Sequence, residues 1–173
     1  MLPTVRKIRP MPLTPEWSSF FTAELGALAS LTGFVVVAIS INLTRILAFA
    51  SLPGRAAEAL IAPVGAITAT SLILVPDQSS IIAAAAILAT GLVMVAAPIV
   101  IQLRTWSARK GVTAVERIVR FAASAGFSLT FIVSGALLMA GAHSGLVWLA
   151  AGDIACIIAV VLSAWVLMIE ILR

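Results

Sequence analysis

The chain has 173 residues, of which 62% are apolar and 10% charged, against about 45–50% apolar and a quarter charged in an ordinary soluble domain. Its mean hydropathy of +1.18 leaves too little polar surface to clothe a water-soluble globule, and the class that remains is a polytopic membrane protein. The net charge of +4 would suggest nucleic acid in a soluble chain; here basic loops at a membrane surface account for it, and no nucleic-acid partner is expected.

A membrane-crossing helix needs ~20 mostly apolar residues, and the gaps between charges parse the chain. Residues 25–44 lie between Glu24 and Arg45, 59–76 between Glu58 and Asp77, 78–103 between Asp77 and Arg104, and 121–152 between Arg120 and Asp153. The last of these is interrupted by Gly141-Ala-His-Ser-Gly145, a turn composition. A final gap, 154–169, makes only about 24 Å of helix. The closing helix must therefore begin near Leu146 and take Asp153 into its length. The expected architecture is an all-α bundle of five transmembrane helices, at about 21–47, 55–75, 80–103, 118–140 and 146–171, behind an N-terminal tail of residues 1–19. Continuous apolar runs exclude the alternation of a β-barrel.

The N-terminal tail ends in Thr14-Pro15-Glu16-Trp17, a helix start with Thr14 as N-cap, Pro15 in the first position and Glu16 at the positive end of the dipole. Trp17, Phe20 and Phe21 follow on one face at headgroup level. A cleaved signal is not expected, although Ala48-Phe49-Ala50 mimics a cleavage site: the apolar stretch is too long, and Asn42, Thr44 and Arg45 would precede the cut. Leu52-Pro53-Gly54-Arg55 and Val75-Pro76-Asp77-Gln78-Ser79 read as short turns, making the first three spans antiparallel neighbours. Residues 104–117 form the one sizeable loop.

Five spans place the termini on opposite sides. Arg45, Arg55, Arg104, Arg109, Lys110, Arg117, Arg120 and Arg173 share one side, with only Arg6, Lys7 and Arg9 on the other. That bias favours a cytoplasmic C-terminus and an outer N-terminus, against the basic N-terminal tail. Trp148 and Trp165, about 25 Å apart along one helix, would mark the two interfaces of the last span, and Trp106 the inner end of the third.

The chain holds one histidine and one cysteine, with no HExxH, CxxC, P-loop, GxSxG or dinucleotide fingerprint. Neither an enzyme nor a cofactor or metal site is expected. Cys156 reads as a small core residue. Ionisable groups within spans point to function more strongly, because charge in hydrocarbon is costly. Glu24, about two turns below Trp17, and Asp153, five residues inside Trp148, fall at similar depth near the outer surface. They would line a cation-attracting mouth, or else sit in the interface bonded to water and hydroxyls. At the inner surface Asn42 is a further candidate for ion contact, one turn from Arg45 on the same face, and Arg45 with Glu58 reads as a structural ion pair joining the first two spans. Pro63 and Pro98 would kink the second and third spans, freeing the carbonyls of Ala59 and Met94.

Small residues recur four apart: Gly26 with Ser30 and Ala29 with Gly33 in the first span; Ala62, Ala66 and Thr70, with Gly65 and Ala69, in the second; Ala122 with Gly126 and Ser124 with Ser128 in the fourth. Such stripes let helices approach closely. Five helices are too few to hide them all, so a homo-oligomer is expected. Gly141-x-x-x-Gly145 matches the same spacing but falls in a turn.

The stretch Thr14-Pro-Glu-Trp-Ser-Ser-Phe-Phe-Thr-Ala-Glu-Leu-Gly through Ile41-Asn42-Leu43, with Leu52-Pro-Gly-Arg-Ala-Ala-Glu after it, resembles a group of small bacterial multi-pass proteins, some of them labelled modulators of a membrane protease. The resemblance covers roughly the first half of the chain and implies a bacterial inner membrane. The better-known modulators have about seven spans, against five here. Two functions follow as expectations: a homo-oligomeric channel or small-solute conduit with an acidic outer mouth, or a non-transporting subunit or modulator bound to another membrane protein.

Overall fold

A computed structural model describes residues 13–48, 52–104 and 114–172, with the side chains of 114–125 and 166–172 left aside. It is all-helical: α1 (Pro15–Ile41), α2 (Leu43–Ala48), α3 (Leu52–Ile73), α4 (Ser80–Arg104), α5 (Ala114–Met139) and α6 (Ser144–Leu172). Four of these, α1, α3, α4 and α6, are long and apolar enough to cross a membrane, and α5 contributes a shorter apolar stretch, Gly126–Met139. The chain is thus built as a multi-pass helical membrane bundle. Arg6, Lys7, Arg9, Phe49, Ala50, Trp106, Arg109, Lys110 and Arg173 lie outside the described residues.

α3, α4 and α6 each bury a stripe at alternating steps of three and four, and α1 one that recurs every seven residues, the spacings that keep one seam against its neighbours. In α1 the seam is Phe21, Leu28, Val35 and Ala38; in α3, Pro63, Ala66, Thr70 and Ile73; in α4, Ala84, Ile87, Gly91, Met94 and Pro98. In α6 it runs through Leu149, Asp153, Cys156 and Val160. The outward positions are large and apolar, among them Phe34, Ile82, Val93, Leu129, Ile158 and Trp165. Oil outside and small or polar residues inside is the arrangement that lipid, unlike water, permits. Hydroxyls on the outer faces are satisfied within their own helices: Thr22, Ser30, Ser40 and Thr68 each donate to the carbonyl four residues back at 2.8 Å.

The first expected span, 21–47, is two helices. The chain leaves α1 at Asn42, whose backbone N–H turns back to Ser40, whose Nδ2 donates to the Ala38 carbonyl at 2.9 Å, and whose own carbonyl accepts from Ile46 N–H. An amide side chain that bonds its local backbone competes with helix continuation, so α2 departs as a separate turn and a half. It packs on α3 through Ile46 and Ala56. Leu52-Pro53-Gly54-Arg55 is likewise not a turn but the first turn of α3, where a proline without an N–H is tolerated.

The other two connections are turns as expected. After Val75, Asp77 takes a positive φ of 55°. After Met139, Gly141 adopts φ 79°, its N–H bonding Leu138 O while Ala142 N–H bonds Leu137 O, the paired closure that favours glycine at a helix end. Both α3 and α4 continue through their prolines, and Pro63 and Pro98 are buried in the helix seams.

Helix contacts are closest where glycines remove the side chain altogether. A Cβ built on Gly135 would lie 2.6 Å from Leu88 N, and one on Gly91 2.9 Å from Ile132 N, so α4 and α5 touch backbone to backbone. Gly145 and Gly152 play the same part between α6 and α5, against Leu138 and Phe131, where the Ser134 hydroxyl also donates to Gly145 O at 2.8 Å. Ser134→Ala should cost about 0.6 kcal/mol, the average worth of such a bond between membrane helices; unfolding in mixed micelles measures it.

Candidate functional site

The seams bring one buried acid to the meeting of α1, α3 and α6. Asp153 has 0% of its surface exposed. Its Oδ2 accepts a hydrogen bond from Thr70 Oγ1 of α3 at 2.7 Å, and its Oδ1 is shut away with no partner. Glu24 approaches from α1, close enough for its charge to act on Asp153, and its Oε2 is also buried without a partner. Glu24 stands three residues after Phe21 and four before Leu28, both fully buried, so the α1 seam aims it inward. Cys156 lies one turn along α6, buried and unbonded to another cysteine.

The core around Asp153 is apolar, while Glu24 itself is half-buried. Phe21, Leu28, Ala66, Ala69, Ile73, Leu149 and Phe131 belong to one continuous core. On the α5 side the neighbour of Gly152 is Thr130, whose hydroxyl is committed to Phe127 O at 2.5 Å. The aromatic residues at the start of α1 close the cluster from its outer end: Trp17 stacks on Phe21 with centroids 5.5 Å apart and meets Phe20 edge-on at 6.0 Å. Of the three rings expected at headgroup level, Phe21 is core, while Trp17 and Phe20 are half-buried and pack over it. Trp148 and Trp165 do face outward. Thr14 N-caps α1 from an extended backbone, without a bond from its side chain to the helix N–H groups.

Of the residues singled out in the sequence, Glu24 and Asp153 come together, inside one chain and between its helices. Asn42 does not join them: it lies eighteen residues further along α1, about 27 Å at 1.5 Å per residue, and spends its side-chain amide on Ala38. Arg45 stands exposed on α2 and Glu58 half-buried on α3, on helices that pack together at the opposite end of α1 from Pro15. Thr70 is the site residue that sequence reasoning passed over, counted in the small-residue stripe of its helix and not as a donor. Its heptad step from Pro63 and Ala66 was the available signal. The glycine stripes also change meaning: Gly26, Gly33 and Gly126 have nothing within 4 Å of an added Cβ, whereas the tight contacts fall to Gly91, Gly135, Gly145 and Gly152.

Among the described residues no group of three or more His, Cys, Asp and Glu is placed to hold a metal ion. What the arrangement offers is a fully buried carboxylate bonded to a hydroxyl, with a half-buried carboxylate near it and one buried oxygen of each without a partner. Comparison with family models, with curated proteins and with solved structures finds no match to this chain, so the resemblance of its first half adds nothing to these residues.

Proposed function

We propose that the chain is a membrane-embedded conduit for a small cation, assembled as a homo-oligomer in the cell membrane with its N-terminus outside and its C-terminus in the cytoplasm. The supporting observation is Asp153: fully buried, bonded on one oxygen only and faced by a second acid. A purely structural hydrogen bond to Thr70 would be served by a neutral asparagine or serine at far lower desolvation cost, and ionisable residues kept inside a bundle usually mark an ion or proton pathway. Glu24 and Asp153 are each nine residues from the start of their helices, Pro15 and Ser144, about 13 Å along the axis. The pair thus sits below the outer face of the proposed topology, where cations arriving from outside are drawn inward. In this reading the chain is not an enzyme.

Purified protein in liposomes tests it directly. Cation flux, followed with proton- and sodium-sensitive dyes under an imposed potential, should fall at least tenfold in Glu24→Gln and in Asp153→Asn, and stay unchanged in Val93→Ala on the outer face of α4. A silent wild-type protein would sink the conduit.

A second reading, a non-transporting subunit or modulator of another membrane protein, is favoured by the open face of α1, where Gly26 and Gly33 meet nothing and another helix can lie close. Crosslinking from Gly33→Cys to a different membrane protein, abolished by Gly26→Leu, is the result that reading requires.

A further inference from the structure

The ion held by the acid pair can be named from the donors around it, and the inference rests on the cation-binding role just proposed for that pair. The polar groups that act on Asp153 are Thr70 from α3, which bonds it, and Glu24 from α1, with Cys156 one turn along its own helix and Thr130 and Phe131 of α5 beside the adjacent Gly152. No described basic side chain is among them. Arg45 is on α2, Arg104 ends α4, His143 is exposed in the turn before α6, and Arg55 is fifteen residues from Thr70 along α3, about 22 Å. A fully buried carboxylate with a second, half-buried one near it does not readily carry charge without a cation beside it. A metal ion of the hard, oxygen-binding kind takes six or more oxygens. Here the buried side-chain oxygens without a partner are Asp153 Oδ1 and Glu24 Oε2, far short of six and enough for a proton.

We propose that Glu24 and Asp153 hold a single proton between them, on Asp153 Oδ1 or on Glu24 Oε2, and pass it from one to the other. The transfer is balanced: when the proton leaves Asp153 for Glu24, a neutral acid becomes a carboxylate and a carboxylate becomes a neutral acid, and the pair carries one negative charge before and after. Thr70 fixes which oxygen takes part. Its hydroxyl occupies Oδ2, so Oδ2 is the carbonyl oxygen of the protonated form and Oδ1, without a partner, is left to carry the proton.

Infrared spectroscopy of the full-length protein in liposomes near neutral pH tests this without any transport assay. The wild type should show the C=O stretch of one protonated carboxylic acid per chain, shifting in D2O. Asp153→Asn should remove it, because half-buried Glu24 then ionises, and Glu24→Gln should keep it but shift it, because Asp153 stays neutral in the core while losing its acid neighbour. Thr70→Val should keep the band and move it to higher wavenumber, since the carbonyl loses its hydrogen bond; this variant keeps the test usable if an acid variant fails to fold. Absence of the band in the wild type, its persistence in Asp153→Asn, an unshifted band in Glu24→Gln, or its loss on exchanging choline for sodium at fixed pH would each overturn the shared proton, the last in favour of a metal ion. Liposomes without flux but with the band would overturn the conduit alone, and flux without the band would overturn the proton pair alone.

Discussion

Gly135→Ala should lower the stability of the bundle by about 1–3 kcal/mol, and Gly135→Leu should leave no folded protein to purify. The added methyl would lie 2.6 Å from Leu88 N, 2.7 Å from its Cβ and 2.8 Å from its Cα. Two of these three atoms are backbone, in the middle of α4, so no rotamer change relieves the contact and the two helices must separate along their whole seam. Gly65 makes the instructive contrast. Its added Cβ would run into Met94, but into the Cγ, Sδ and Cε of a flexible side chain, which can turn aside. Gly65→Ala should therefore cost much less, and Gly26→Ala, which meets nothing, should be neutral or slightly stabilising, as alanine is the better helix former. Unfolding in mixed micelles ranks the three. Equal stability of Gly135→Ala and Gly26→Ala would mean that α4 and α5 do not approach as described.

Asp153→Asn should make the protein more stable by about 1–2 kcal/mol, by analogy with buried ionic groups replaced by neutral ones, while removing the proposed transport. Asparagine keeps an oxygen to accept from Thr70 Oγ1 and adds an N–H₂ group where Oδ1 had no partner, directed towards the equally unfilled Glu24 Oε2. Asp153→Ala should act in the opposite direction, by about 2 kcal/mol or more, because Thr70 loses its acceptor in a buried site and a void opens beside it. The difference in sign distinguishes a functional acid from a structural one. If asparagine destabilises as much as alanine, the carboxylate is a structural post and the function assigned to it falls.

How much of this was legible from residues alone follows from what each pattern encodes. Charge spacing located the apolar helices because lipid excludes charge, and that constraint acts on the sequence directly. It passed over Asn42, whose break depends on a side-chain bond to Ala38 that hydropathy does not weigh, and it misread Leu52-Pro53-Gly54-Arg55, since proline begins helices as readily as it ends them. Glu24 and Asp153 were found by the same rule of expensive charge. Their partner Thr70 carries no charge and so raised no flag. The glycines were misassigned for a related reason: small-residue spacing marks faces on which a helix can approach, and Gly26 with Ser30 satisfies it while Gly135, four residues from Phe131 and Met139, does not. Only the neighbour's position separates an open face from a contact.

The α4–α5 seam has a consequence for how the protein enters the membrane. α5 runs from Ala114 to Met139, and Ser128, Thr130 and Ser134 fall within it. Thr130 bonds its own helix at Phe127 O, whereas Ser128 and Ser134 are buried against other helices and Gly135 sits directly on α4. A polar stripe of this kind is costly in hydrocarbon until a neighbour covers it. Insertion of α5, measured in a glycosylation-mapping assay, should therefore weaken when α4 is deleted or when Gly91 is enlarged.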